Sequence, residues 1–171
     1  PYIVEGEKYF YTTQEILDFI NLLRVIENPY DRIALVGVLR SPIVGLTDRE
    51  IYELRVNHAF DYRKGTLGET PIDYGMKRKD TKGCPPQSPL NKGGVGNLSA
   101  DTKKITEPFY AFLRKIHARA GVIPVSQLIA EILDSTHIAE ITASAWHGEQ
   151  KLANLWKLCR MACDMEEAAG I

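Results

Sequence analysis

The residue types best suited to nucleophilic or metal chemistry in this chain are its three cysteines and four histidines, and their spacing assembles no motif. Cys159 and Cys163 stand four apart, so on a helix they share one face. Two thiolates there would hold zinc only with help from Cys84 or a histidine, and ligand spacing of the usual zinc-site kind is missing. Small buried hydrophobes are the simpler reading. His58, His117, His137 and His147 are scattered, with no serine or cysteine nucleophile in a recognisable motif. Asp18, Asp31, Asp48, Glu50 and Glu53 fall near expected helix starts or on polar faces, where capping and solvation account for them. Glu166-Glu167 reads as a solvated helix end. A nuclease needs several acidic groups converging on Mg²⁺, and no local run points to that. A phosphate-binding loop needs Gly-x-x-x-x-Gly-Lys-Ser/Thr between a strand and a helix. Lys92-Gly93-Gly94-Val95-Gly96 lacks both that ending and a preceding strand, and reads as a loop.

Phosphate recognition has better material. Basic residues cluster at Lys77-Arg78-Lys79 with Lys82, and again from Lys103-Lys104 to Arg114, Lys115 and Arg119. Either cluster can meet a phosphate backbone, and either can be an ordinary solvated surface. More specific is Arg40-Ser41-Pro42-Ile43-Val44-Gly45-Leu46-Thr47, a tight glycine-containing turn between two expected helices. Backbone N–H groups at such a turn can point at a DNA phosphate without net charge, and Arg40 adds one. Arg40, Ser41, Gly45, Leu46 and Thr47 are therefore the candidate DNA-facing group; the alternative is an ordinary helix–helix connection.

The elements that must position these residues are helical. Thr12 or Thr13 can cap a helix whose Ile16, Phe19, Ile20, Leu23 and Ile26 share one face. Asn28-Pro29 stops it. Asp31 can cap a second helix through about Leu39, apolar almost all round and so expected to be deeply buried. Thr47 with Glu50 forms a capping box for a third, with Ile51, Leu54 and His58 on one side. Order is expected to resume at Thr106, with Glu107-Pro108 in a first turn and Phe109, Phe112, Leu113, Ile116 and Ala120 as the stripe. Pro124 starts a helix with Val125, Leu128, Ile129 and Ile132 inward. The last begins near Glu149 and carries Leu152, Leu155, Trp156, Cys159 and Ala162 on one face. Tyr2–Val4 reads as a short extended element.

The expected fold is mainly α, with that extended element and an insertion. Residues 1–60 form one helical segment, 61–104 a low-complexity insertion or loop, and 105–171 a second helical segment. Residues 76–104 are poor in large apolar groups and read as flexible. The chain of 171 residues is 44% hydrophobic and 25% charged, which fits a globular domain. A net charge of −1 gives no global basic field, so DNA contact must be local. Neither a signal peptide nor a bilayer-spanning apolar run is present, and three cysteines fit a reducing compartment, so a cytoplasmic location is expected. The chain opens at Pro1 without a methionine and reads as a piece of a longer polypeptide.

Pro1, Tyr2, Gly6, Phe10, Glu15, Ile16, Asp18, Leu23, Arg24, Asn28, Pro29 and Asp31 fall without a gap on I-P-Y-x-x-x-G-x-x-x-F-x-x-x-x-E-I-x-D-x-x-x-x-L-R-x-x-x-N-P-x-D. This pattern resembles a region of the UvrD-like superfamily 1 DNA helicases. Ala34-Leu35, Leu39-Arg40-Ser41-Pro42 and Gly45-Leu46 are similar to the branch that holds AddA and the exonuclease V beta subunit. Pro124–Leu133 and Gly148–Leu158 are also similar to that branch. The resemblance implies the edge of motor domain 2A and much of the helical 2B accessory subdomain. It implies a parent enzyme that uses ATP and Mg²⁺ to unwind DNA in double-strand-break repair and recombination, possessing or partnering a nuclease. The implied partners are duplex DNA, the missing motor domains of the same chain and a second helicase–nuclease subunit, with no membrane. Glu15, Asp18 and Arg24 are assigned to helix-start electrostatics and a surface pairing. Two departures from the pattern are Thr13, where a basic residue is usual, and Ile43-Val44-Gly45-Leu46, where a more basic Gly-x-Gly turn is usual. The alternatives are a non-catalytic helical protein-interaction module and a small enzyme using Cys159 or a histidine.

Overall fold

The computed structural model describes residues 10–64 and 98–170. The expected extended element at Tyr2–Val4, the basic cluster at Lys77–Lys82, Cys84 and the glycine run at 92–96 lie outside them. Among the described residues the fold is mainly α, as the periodicity predicts. A 3₁₀ turn at Phe10–Thr12 precedes seven helices: α1 (Gln14–Glu27), α2 (Arg32–Arg40), α3 (Asp48–Val56), α4 (Ala100–Arg119), α5 (Val125–Thr136), α6 (Ile138–Ser144) and α7 (Gly148–Ala169). No helix among the described residues is long and apolar enough to cross a membrane.

Helix α1 is central. It packs against α2, α4, α7 and the 3₁₀ turn, while α5 and α6 lean on α7 and α3 on α2. Ile16, Phe19, Leu22, Val25 and Ile26 of α1 are buried, and all but Ile16 join one contiguous apolar cluster with Leu35 and Leu39 of α2, Leu113 and Ile116 of α4, and Leu155 of α7. Removal of that apolar surface from water drives the collapse.

The C-terminal end of α1 sets how the other elements lie. A helix leaves its last carbonyls without intrahelical partners. Here the Asn28 amide donates to the Arg24 carbonyl at 2.8 Å. The buried Tyr62 hydroxyl donates to the Val25 carbonyl at 3.0 Å. Nδ1 of His117 lies 2.6 Å from the Ile26 carbonyl and, because a carbonyl only accepts, carries the proton. Tyr62 is in turn tied to α4: Arg114 donates to its carbonyl at 2.6 Å, and the Tyr110 hydroxyl donates to the Ala59 carbonyl at 2.8 Å.

Several helix boundaries follow local signals. The Asp31 side chain accepts from the Ala34 amide and pairs with Arg24 at 2.7 Å. Thr47 and Glu50 form the expected capping box. Thr13 stands at the N-cap of α1, but its hydroxyl donates back to the Phe10 carbonyl and does not cap.

Other expectations are corrected. α2 is one-sided: Ala34, Leu35, Val38 and Leu39 are buried, whereas Ile33 is 84% exposed, on a face that neither α1 nor α3 covers. α4 starts at Ala100, six residues before Thr106, and holds Pro108 in its interior. Pro108 has no N–H to donate to the Lys104 carbonyl, and both residues are exposed. The buried face of α4 runs through Thr102, Thr106, Tyr110, Leu113 and Ile116, with Phe109 and Phe112 only partly covered. α3 ends at Val56, and His58 lies beyond it, exposed, with φ +55°. Val125 and Trp156, expected inward, are 42% and 50% exposed. Glu166, in the solvent-accessible last turn of α7, has a further role: its carboxylate accepts from the Val125 and Ser126 amides and caps α5. Those two amides hold its pKa below the usual carboxylate range. Glu15 and Asp18 are buried, with Glu15 accepting from Asn154 of α7 at 2.8 Å and Asp18 from Gln14 at 2.7 Å.

Three outcomes are expected. Tyr62→Phe leaves the Val25 carbonyl without its donor and should cost about 1–3 kcal/mol in denaturant unfolding. A Cβ on buried Gly148 would lie 2.0 Å from the Ala143 carbonyl oxygen, so Gly148→Ala should lower the melting temperature as a backbone clash of about 1–3 kcal/mol does. The pKa of Asp18 is raised, chiefly by burial. Its folded state therefore holds the proton more tightly than the unfolded chain, and stability falls as pH rises from the unfolded value through the raised one. Asp18→Asn should raise the melting temperature at neutral pH, with the gain vanishing in acid below the ordinary aspartate pKa.

Candidate nucleic-acid interface

The hairpin of α2, its turn and α3 is built from the turn outward. Ser41 is its pivot and is buried. The Ser41 amide donates to the Gly37 and Val38 carbonyls, and its hydroxyl donates to Val38 at 2.7 Å while accepting from the Ile43 amide at 3.3 Å. The Val44 and Gly45 amides both donate to the Ser41 carbonyl, at 3.1 and 2.8 Å. Gly45 supplies the left-handed residue, φ +74°, that this closure requires. The Leu46 amide returns to the Leu39 carbonyl at 2.9 Å and its side chain is 3% exposed. The Thr47 amide donates to Glu50 at 2.7 Å.

Every amide from Ser41 to Thr47 is thus engaged inside the hairpin, and Pro42 has none. The turn cannot offer a row of free N–H groups to a phosphate, contrary to the mechanism expected from sequence. Ser41 and Leu46 act as the buried hinge; Gly45 and Thr47 are exposed. The outward chemistry belongs to side chains. Arg40 is 69% exposed, with Nε 3.4 Å from Asp48, and Arg49, not singled out from sequence, is 88% exposed and 3.5 Å from Glu53. Arg32 and Arg55 have no ion pair among the described residues. The two helices carry these four arginines against Asp48, Glu50 and Glu53. Glu50 is held below the usual carboxylate range by its bonds to Thr47 and stays ionised. Between α2 and α3 lies an open groove of about 280 Å³, lined by Val36, Ile51, Tyr52 and Phe60, with Arg32, Arg55 and Asp48 contributing its charges. The spacing of 48, 51, 52 and 55 along one helical face was the available signal for it.

The second basic cluster is largely engaged in packing. Lys115 and Arg119 both pair with Glu131 of α5, at 2.8 and 2.6 Å, and Arg114 holds the Tyr62 carbonyl. Lys103 and Lys104 remain on the α4 surface.

The cysteines and histidines assemble no reaction centre among the described residues. Burial, with Cys163 nearby, pushes the Cys159 thiol up to about 11, which leaves little thiolate at neutral pH. His117 serves α1. His58, His137 and His147 each hold a left-handed backbone conformation and are exposed. No group of three His, Cys, Asp or Glu among the described residues could hold a metal ion.

Comparison with known proteins agrees with the hairpin's sequence signature. Residues 1–69 match the UvrD-like helicase C-terminal domain. Along nearly its whole length the chain is similar to proteins named as the A subunit of an ATP-dependent helicase/nuclease. It is 30% identical to that of Latilactobacillus sakei over 98% of this chain and 17% of the relative. For Carboxydothermus hydrogenoformans the figures are 31%, 99% and 12%, and for Limosilactobacillus reuteri 32%, 95% and 11%. The chain therefore spans less than a fifth of the length of these relatives. Residues 1–69 thus carry the match to the UvrD-like helicase C-terminal domain, and the similarity to helicase/nuclease A subunits continues through α7.

Proposed function

We propose that this chain is a non-catalytic accessory region of an ATP-dependent DNA helicase–nuclease, and that its α2–α3 hairpin meets the backbone of duplex DNA. The observation that carries the reading is the hairpin itself. Its turn is rigid, because every amide in it is bonded internally, and it presents Arg40 and Arg49 at high exposure. Guanidinium groups on a fixed frame can form bidentate contacts to phosphate. The candidate group of Arg40, Ser41, Gly45, Leu46 and Thr47 then divides its work. Arg40 touches the backbone, Gly45 and Thr47 form the exposed rim, and Ser41 and Leu46 fix the turn from within.

The resemblance implies ATP and Mg²⁺ for the parent enzyme. The residues here do not fit them: there is no Gly-x-x-x-x-Gly-Lys-Ser/Thr sequence and no acidic cluster among the described residues suited to a metal. ATP chemistry is accordingly assigned to motor domains of the parent, as is the unwinding that serves double-strand-break repair. The packed core of the fold is the frame that holds the hairpin, and the missing motor domains and a second helicase–nuclease subunit are the partners this reading assigns to the chain. The cytoplasm is the compartment consistent with this role.

Binding to a fluorescent duplex, titrated over a range of salt concentrations, tests the reading. Arg40→Ala should weaken binding several-fold and reduce the salt slope by about 1. Duplex affinity that is unchanged in Arg40→Ala and in Arg49→Ala would remove the hairpin from the interface and turn attention to Lys103 and Lys104.

A further inference from the structure

The groove between α2 and α3 is a different surface from the turn, and its chemistry differs. We propose that it receives one unpaired nucleotide of a single strand, the base lying against Tyr52 and Phe60 and its phosphate between Arg32 and Arg55. This rests on the nucleic-acid reading of the hairpin and extends it from duplex backbone to an exposed base.

Three observations converge. Tyr52 is 58% exposed although it sits on a helix whose neighbouring Leu54 is fully buried, so its ring is presented from a fixed frame. Stacking on an aromatic ring is tolerant of base identity, and a rigid ring loses little entropy on doing so. Second, Arg24, Arg40, Arg49, Arg63 and Arg119 each have a carboxylate partner, whereas Arg32 and Arg55 have none among the described residues. Their charge is left for an anion from outside. Asp48, the carboxylate that lines the groove, lies 3.4 Å from Arg40, which counters its repulsion of a phosphate. Third, at about 280 Å³ the groove falls just below the roughly 300–1,000 Å³ of pockets that enclose drug-sized ligands. That suits a single base better than a helix of a protein partner.

The groove selects for single strands, because a base in a duplex has both faces covered by its neighbours. No strong base preference is expected: Val36 and Ile51 offer no hydrogen bonds to a base edge.

The test uses fluorescence anisotropy of this chain with three labelled probes: an oligothymidine of about twelve nucleotides, long enough for one binding module, an abasic phosphodiester strand of the same length, and a duplex. Oligothymidine should bind more tightly than the abasic strand. Tyr52→Ala should lower the affinity for oligothymidine by about tenfold while leaving the abasic strand and the duplex unchanged, and Tyr52→Phe should retain binding. Arg32→Gln and Arg55→Gln should weaken both single strands. Tyr52 is exposed, and an unchanged thermal melt of Tyr52→Ala confirms that the fold is kept. Equal affinity for oligothymidine and the abasic strand would overturn the proposal, as would a Tyr52→Ala variant that binds like the parent chain. Duplex binding without oligothymidine binding would also overturn it and leave the hairpin reading standing. The converse, oligothymidine binding with the Tyr52 signature but no duplex binding, would keep the groove and defeat the duplex reading. Should Tyr52→Ala alter self-association in sedimentation while leaving all three probes unaffected, the groove would be a protein-contact surface and the proposal would fail.

Discussion

The carbonyls at the C-terminal end of α1 impose the condition that the rest of the structure meets. Polar groups removed from water must find partners, or the fold loses most of what burial contributes. Asn28 closes the Arg24 carbonyl from within the chain's immediate continuation. Val25 and Ile26 depend on donors 37 and 91 residues away, Tyr62 and His117. Bringing both to one helix end requires the segment after α3 and the helix α4 to lie across α1 in one register. Tyr62 locks that register further, since its hydroxyl serves α1 while its carbonyl accepts from Arg114 of α4. Apolar burial draws the helices together but is indifferent to small rotations; these directional bonds are not.

The same principle shapes the α2–α3 hairpin, with an opposite consequence for function. By engaging all its own amides, the turn becomes rigid and chemically closed along its backbone. The outward-facing chemistry is then left to side chains on its helices, arginines on α2 and both arginines and carboxylates on α3. Arg40 and Arg49 are partly neutralised, while Arg32 and Arg55 are not. The mixed charge agrees with a chain whose net charge is −1. The exposed guanidinium groups of the hairpin thus stand on a preorganised frame and not in a diffuse basic field.

Legibility in the sequence follows the range of the interaction. Asp31 capping Ala34, the Thr47–Glu50 box and the Asn28-Pro29 stop are readable because donor and acceptor lie within a few residues. The cap of α5 is not, since its Glu166 is 40 and 41 residues away. The start of α4 is obscured by a polar stretch with Pro108, which the helix holds in its interior on an exposed face. Ile33 misleads because apolar character does not reveal whether a neighbour covers it. Buried Asp18 misleads for the mirror reason. Of the candidate site, the turn's position is legible but the fate of its amides is not.

By itself the sequence determined the helical class, the principal helix stops and the resemblance to the UvrD-like helicases, all of which rest on residue type and short spacing. Tertiary structure alone decided which donors reach the α1 carbonyls, that the turn's backbone is closed, and that Arg32 and Arg55 border one groove with Tyr52. Those outcomes depend on how helices pack across long chain separations. Packing selects one arrangement from many that the same local pattern permits.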